Sequence, residues 1–139
     1  MTTKHLIPYI HLNGTAGRAI ALYEKALGAT PKGEIARYSQ APMPVAPEHK
    51  DWVMHATLVI GDALLMLSDA TPDHAVPTTS NLSILIEIND EAELQQKFDA
   101  LAVGGTIDMP VHDAFWGGKF GVLVDAFGVR WNFHSGRMA

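Results

Sequence analysis

The chain of 139 residues contains no cysteine. That excludes disulfides, thiolate metal sites and thiol nucleophiles together. A chain without thiols builds no disulfide framework in any compartment, so a cytoplasmic location is the default expectation and not a deduction from composition. Long apolar runs are also missing: nothing approaches the roughly 18 uninterrupted apolar residues that cross a bilayer. The first residues lead into a short apolar run that Pro8 interrupts, which is not the shape of a signal peptide. Positive charge is scarce, with 10 basic against 15 acidic residues and a net charge of -5, and the basic residues are scattered. A phosphate-backbone partner needs them clustered, so nucleic acid is not expected, nor is a membrane. The acidic excess serves solubility. With 47% hydrophobic and 18% charged residues, the composition is that of a globular protein. Residues 1–139 read as one domain, long enough to bury a core without staples.

What is present is a repeat. Residues 5–12 alternate loosely, as a strand does. Thr15 is placed to cap a helix whose Ala16, Ile20, Tyr23, Ala26 and Leu27 share one face, and Gly28 ends it. A weaker strand is expected over 34–39. Strands at 54–60 and 63–68 are joined by the tight pair Gly61-Asp62. The second half repeats the order. A strand at 82–88 precedes a helix capped by Asp90, with Glu93 three residues on. Leu94, Phe98, Leu101 and Ala102 form its buried stripe, and Gly104-Gly105 stops it. Strands follow at 106–111, 119–124 and 129–134, the last two around Asp125-Ala126-Phe127-Gly128. The halves are a first module at 5–68 and a second at 81–134, linked by a polar, proline-bearing connector at 69–80. Each is strand, helix, strand, strand, strand. A helix covers one face of such a sheet, and the other face must meet a second copy or a ligand.

Several short motifs then look familiar. Pro8-Tyr9-Ile10, Ala19-Ile20, Leu22-Tyr23 and Ala26-Leu27-Gly28 resemble the opening of the glyoxalase/bleomycin-resistance/dioxygenase (vicinal oxygen chelate) superfamily. More narrowly, His55-Ala56, Met66-Leu67-Ser68-Asp69, Phe115-Trp116-Gly117, Phe120-Gly121 and Asp125-Ala126-Phe127-Gly128-Val129-Arg130-Trp131 resemble its PhnB-like branch. The resemblance runs from Pro8 to about His134, and it is the order and spacing of the pieces together that make it specific. It implies an α+β fold of two βαβββ modules whose curved mixed sheets surround a cleft, commonly in a homodimer. It does not imply one reaction, because the superfamily spans isomerases, dioxygenases, thiol transferases and metal-free binders. PhnB-like proteins often carry a ubiquinone methyltransferase name. No glycine-rich nucleotide fingerprint follows the first strand here, so a methyl donor is not supported.

Metal-dependent members of the superfamily place His and Glu ligands on four strands, as borderline divalent ions prefer. The local motifs put those places at Pro8, Met66, Ser83 and Asn132, none of them a good ligand. A one-residue slip would turn side chains to the opposite face. A two-residue slip would bring in Ser68, Glu87 or His134, and Glu87 with His134 would still be only two ligands. The resemblance therefore implies a site with no metal and no cofactor.

Hairpin geometry assigns the lining. A two-residue turn pairs Ile60 with Ala63, Leu58 with Leu65, Thr57 with Met66 and His55 with Ser68, and paired residues share a face. His55, Thr57, Val59, Leu64, Met66 and Ser68 then face the cleft, while Ala56, Leu58, Ile60, Leu65 and Leu67 sit under a helix. A four-residue turn in the last hairpin sets Leu123 opposite Arg130 and Gly121 opposite Asn132 on the cleft side. Lys119 follows on that face, and Gly121 leaves open space beside Asn132. With Ser83, and with Phe115-Trp116 as an aromatic lid before Gly117-Gly118, this lining suits a small organic ligand, polar or anionic with an apolar body.

Each residue has a plainer reading. His55 is the candidate for acid–base work, since imidazole titrates near neutrality, and equally a structural histidine held by Ser68. Phe115 and Trp116 also read as a hydrophobic plug, Lys119 and Arg130 as solvated, and His11 as surface or interface. Asp125 caps its own turn. The long segment 40–51, with Pro42, Pro44 and Pro47, is expected at the pocket or dimer edge. The leading functional reading is a PhnB-like small-molecule protein. A non-catalytic drug or metabolite binder is the second, with Trp52, Phe115, Trp116 and Trp131 available for stacking. A metal-dependent isomerase or dioxygenase, its ligands in another register than the one assigned above, is the third, and a structural dimer with a vestigial cleft the fourth.

Overall fold

The computed structural model describes residues 2–136. The chain divides into two compact units, Met1–Val76 and Pro77–Ala139. The division falls inside the expected connector.

In the first unit, β1 (Tyr9–Leu12) is followed by α1 (Ala16–Leu27), two short strands β2 (Thr30–Pro31) and β3 (Ala36–Arg37), and the hairpin β4 (Val53–Ile60) and β5 (Ala63–Asp69). The sheet runs β1-β5-β4-β2, with β3 also on β4 and β1 parallel to β5. The hairpin register is the one expected, with Thr57 opposite Met66, Leu58 opposite Leu65 and Ile60 opposite Ala63. Ala56, Leu58, Leu65 and Leu67 are buried, as are Ala16, Ala19, Ile20, Tyr23 and Leu27 of α1, which packs on β4 and β5. Each leucine so buried contributes roughly 1.5–3 kcal/mol.

Two local expectations are corrected. Thr15 holds the N-cap position without a side-chain bond. Asp69, at the far end of β5, caps α1 instead, its Oδ1 accepting from Gly14 N–H at 2.8 Å and Ala16 N–H at 2.9 Å. The strand expected at 34–39 is only the pair Ala36–Arg37 before a 3-10 turn at Tyr38–Gln40, because the pairing of β3 on β4 slips between those two residues. The segment after it folds back on itself through Tyr38 N–H to Trp52 O, Ser39 N–H to Lys50 O, and an Arg37 guanidinium bond to Asp51 O.

The second unit has the same connectivity: β6 (Ile84–Glu87), α2 (Glu91–Leu101), β7 (Thr106–Asp113), β8 (Lys119–Val124) and β9 (Arg130–His134). Its sheet runs β6-β9-β8-β7, with β6 parallel to β9. Asp90 caps α2 as expected, accepting from Glu93 N–H at 3.0 Å. Leu94, Phe98 and Leu101 are buried. β7 runs beyond the expected 106–111 and carries Pro110, which an edge strand tolerates.

The last hairpin differs from expectation by one residue. Val124 pairs with Arg130, Val122 with Asn132 and Phe120 with His134, so five residues make the connection. Asp125 takes up the extra residue, its Oδ1 accepting from Phe127 N–H and Val129 N–H and its Oδ2 from Trp131 Nε1–H. The slip reverses β8. Leu123 pairs with Trp131 and Gly121 with Phe133, residues that are buried. Gly121 therefore opens toward α2, not beside Asn132: a Cβ there would lie 2.9 Å from the Phe98 ring and 3.0 Å from Val111. Gly121→Ala is expected to cost about 1–3 kcal/mol by overpacking. A denaturant midpoint unchanged from the parent would restore the four-residue turn.

Candidate functional site

Strand alternation places Tyr9 and His11 of β1 beside Met66 and Ser68 of β5, their register partners, and Thr57 beside Met66. These side chains, with His55, share the face of the first sheet opposite the buried Leu58 and Leu67. The residue opposite Met66 is Tyr9 and not Pro8, whose carbonyl accepts from Met66 N–H. That one-residue difference brings His11 onto the face.

The polar groups form two sets. The Tyr9 hydroxyl lies 2.9 Å from His55 Nδ1, and His55 Nε2 lies 3.2 Å from Thr57 Oγ1. A neutral imidazole donates from one nitrogen and accepts at the other, so either tautomer satisfies this chain. His11 Nδ1 lies 2.8 Å from Ser68 Oγ, and the Tyr9 and His11 rings stack with centroids 4.4 Å apart. Ser68 thus holds His11, not His55. His11 was legible in the sequence only as surface, and the alternation from Ser68 across the parallel pair is the signal that finds it. Nearby, the Tyr38 hydroxyl donates to Asp69 O at 2.7 Å. Burial, then the Asp69 and Tyr9 charges, push the Tyr38 phenol above its ordinary pKa.

Asp69, at the end of β5, offers this face no free carboxylate. Asp69 is 1% exposed, and its Oδ2 accepts from Val53 N–H while Oδ1 serves α1. Among the described residues no three His, Cys, Asp or Glu groups converge as a metal site would need. Imidazoles paired with phenol and hydroxyl groups do not make a fitting divalent-ion set.

In the second unit, Asn132 Nδ2–H donates to Ser83 Oγ at 3.0 Å, uniting two of the expected residues. Trp116 Nε1–H donates to His134 Nε2 at 3.1 Å, and Phe115 packs edge-on against Trp116. Glu87 is the register partner of His134. Lys119 falls on the alternation of Gly121 and Leu123, and its ammonium pairs with Asp113 at 2.8 Å. That bond holds Asp113 below the usual carboxylate range and Lys119 above the usual amine range. Arg130 is paired with Asp108. Of the tryptophans considered for stacking, Trp131 is buried and Trp52 packs against Gly14 and His49.

Comparison with known proteins agrees with this architecture. Residues 11–133 match the Glyoxalase/Bleomycin resistance protein/Dioxygenase superfamily. Protein YjdN of Escherichia coli is 30% identical over 91% of each chain. The crystal structure of PA1353 from Pseudomonas aeruginosa superposes with a TM-score of 0.86 at 34% identity, covering 96% of this chain and 98% of that one. The PhnB protein from Bacillus cereus does so with a TM-score of 0.80 at 25% identity, covering 96% and 100%. No helix of the described residues is long and apolar enough to cross a membrane.

Proposed function

We propose, because this chain belongs to the glyoxalase/bleomycin resistance protein/dioxygenase superfamily and within it to the PhnB-like branch, that the open face of its first unit binds a small organic ligand. The observation that carries the reading is the cluster of Tyr9, His11, His55, Thr57 and Ser68 on the sheet face opposite the buried Leu58 and Leu67, tied by side-chain hydrogen bonds. Hydroxyl and imidazole groups recognise a polar head, and Met66 offers apolar surface to its body. Imidazole nitrogens beside hydroxyl donors suit a polar or anionic head.

His55 and His11 differ in what they offer. Both nitrogens of His55 have partners, so it moves a proton only when the ligand replaces Tyr9 or Thr57. His11 has one nitrogen on Ser68 and lies exposed, which leaves Nε2 for the ligand. The same reading takes the protein as a cytoplasmic homodimer, in keeping with the habit of the superfamily.

A thermal-shift screen of small carboxylic acids and neutral analogues tests it. A ligand that stabilises the parent is expected to bind about tenfold more weakly to His55→Ala and to His11→Ala, the loss of about 1.4 kcal/mol. Unchanged binding by both folded variants would remove the site. Turnover of the bound ligand that His55→Ala abolishes assigns catalysis, whereas binding without turnover assigns sequestration.

A further inference from the structure

His134 is 3% exposed, and its Nε2 accepts the indole N–H of Trp116. A neutral imidazole that accepts at Nε2 carries its proton on Nδ1. That Nδ1 is buried and has no hydrogen-bond partner; the nearest acidic group, Glu87 Oε2, is 3.9 Å away, beyond hydrogen-bond reach. Native proteins leave few such groups, and each one calls for a reason.

Trp116 itself is not a core residue. It is 46% exposed, beside Phe115 at 96%, on a short loop where Gly117 and Gly118 both have positive φ. The indole lies edge-on against Phe120 with centroids 5.4 Å apart and lies beside the His134 ring, centroids 6.3 Å apart at an interplanar angle of 28°. A flat aromatic body with one N–H donor thus rests half-exposed against a buried histidine whose Nε2 accepts that donor.

We infer that Trp116 is an internal stand-in for a ligand: the Phe120–His134–Glu87 corner of the second unit is a binding site for a planar aromatic molecule bearing an N–H or O–H donor, which His134 Nε2 accepts. The donor on Nε2 selects the tautomer with its proton on Nδ1, and Glu87, 3.9 Å away, lies beside that nitrogen without bonding it. The inference is drawn from residues of the second unit alone.

Indole is the probe. Trp116→Ala is expected to gain thermal stability on adding indole, and little from 1-methylindole, which has the same ring and no donor. The response is expected to vanish in Trp116→Ala/His134→Ala. In the parent protein, indole must compete with the tethered side chain. It is expected to bind at least tenfold more weakly there and to shift the Trp116 indole N–H resonance as that side chain leaves. Equal response to the two indoles, persistence without His134, or a Trp116 resonance unmoved at saturating indole would each overturn the inference. Should Trp116→Ala fail to fold, the titration of the parent decides, because it needs no variant.

Discussion

Asp69→Ala is expected to lower the unfolding free energy by roughly 3–6 kcal/mol, the largest loss of any single truncation in the first unit. Its carboxylate accepts from three backbone N–H groups, those of Gly14, Ala16 and Val53, at 2.8–2.9 Å. Bonds to a charged acceptor are worth about 1.5–3 kcal/mol each, and their removal leaves buried donors without water to replace the oxygen. The side chain also substitutes for the N-cap that Thr15 does not supply, so α1 loses its start while the open end of the β4–β5 hairpin loses one bond, to Val53 N–H. Asp69→Asn separates these effects. Its carbonyl oxygen still serves Gly14 and Ala16, but the amide turns a donor toward Val53 N–H, so about half of the loss is expected to return. Urea unfolding with an unchanged slope measures both. A loss below about 1 kcal/mol for the alanine variant would mean that the three bonds are not made.

Gly118→Ala is expected to cost about 3 kcal/mol or more, and its neighbour Gly117→Ala about 1–2 kcal/mol. Both glycines have positive φ, +79° and +99°, so both substitutions pay the left-handed penalty. Only Gly118 meets backbone as well: a Cβ there would lie 2.0 Å from the carbonyl oxygen of Ser135, while nothing stands within 4 Å at Gly117. Ser135 cannot retreat, since its N–H donates to Lys119 O and its hydroxyl accepts from Lys119 N–H. The substitution therefore unzips the joined start of β8 and end of β9. Thermal unfolding of the two variants side by side is the measurement. Equal losses would show that the close approach to Ser135 does not exist. Gly117→Ala should also keep the Trp116–His134 bond, which a retained indole N–H resonance would report.

The halves of this chain were legible in its sequence because they rest on local periods. Ala16, Ile20, Tyr23 and Leu27 recur at helical spacing, and the alternation of 54–60 and 63–68 around Gly61-Asp62 set a register that the structure keeps. The order of motifs from Pro8 to His134 pointed to the superfamily for the same reason: each piece is a run of a few adjacent residues. Placement on the faces was a different matter. Tyr9, not Pro8, meets Met66, and Gly121 turns under α2. Each is a slip of one residue, and in a strand one residue is the whole difference between core and open face. The first slip changed the candidate site by adding His11, and the second withdrew Lys119 from the face where a four-residue turn had put it.

By itself, then, the sequence determined two strand–helix–strand units, their buried stripes and their kinship, all carried by neighbours a few residues apart. Tertiary structure alone decided which polar side chains share a face. That choice depends on bonds between distant residues. Asp69 reaches back 53 to 55 positions to start a helix, and Trp116 reaches across 18 to His134. Asp125 gathers an extra residue into its turn through side-chain bonds that no periodicity records.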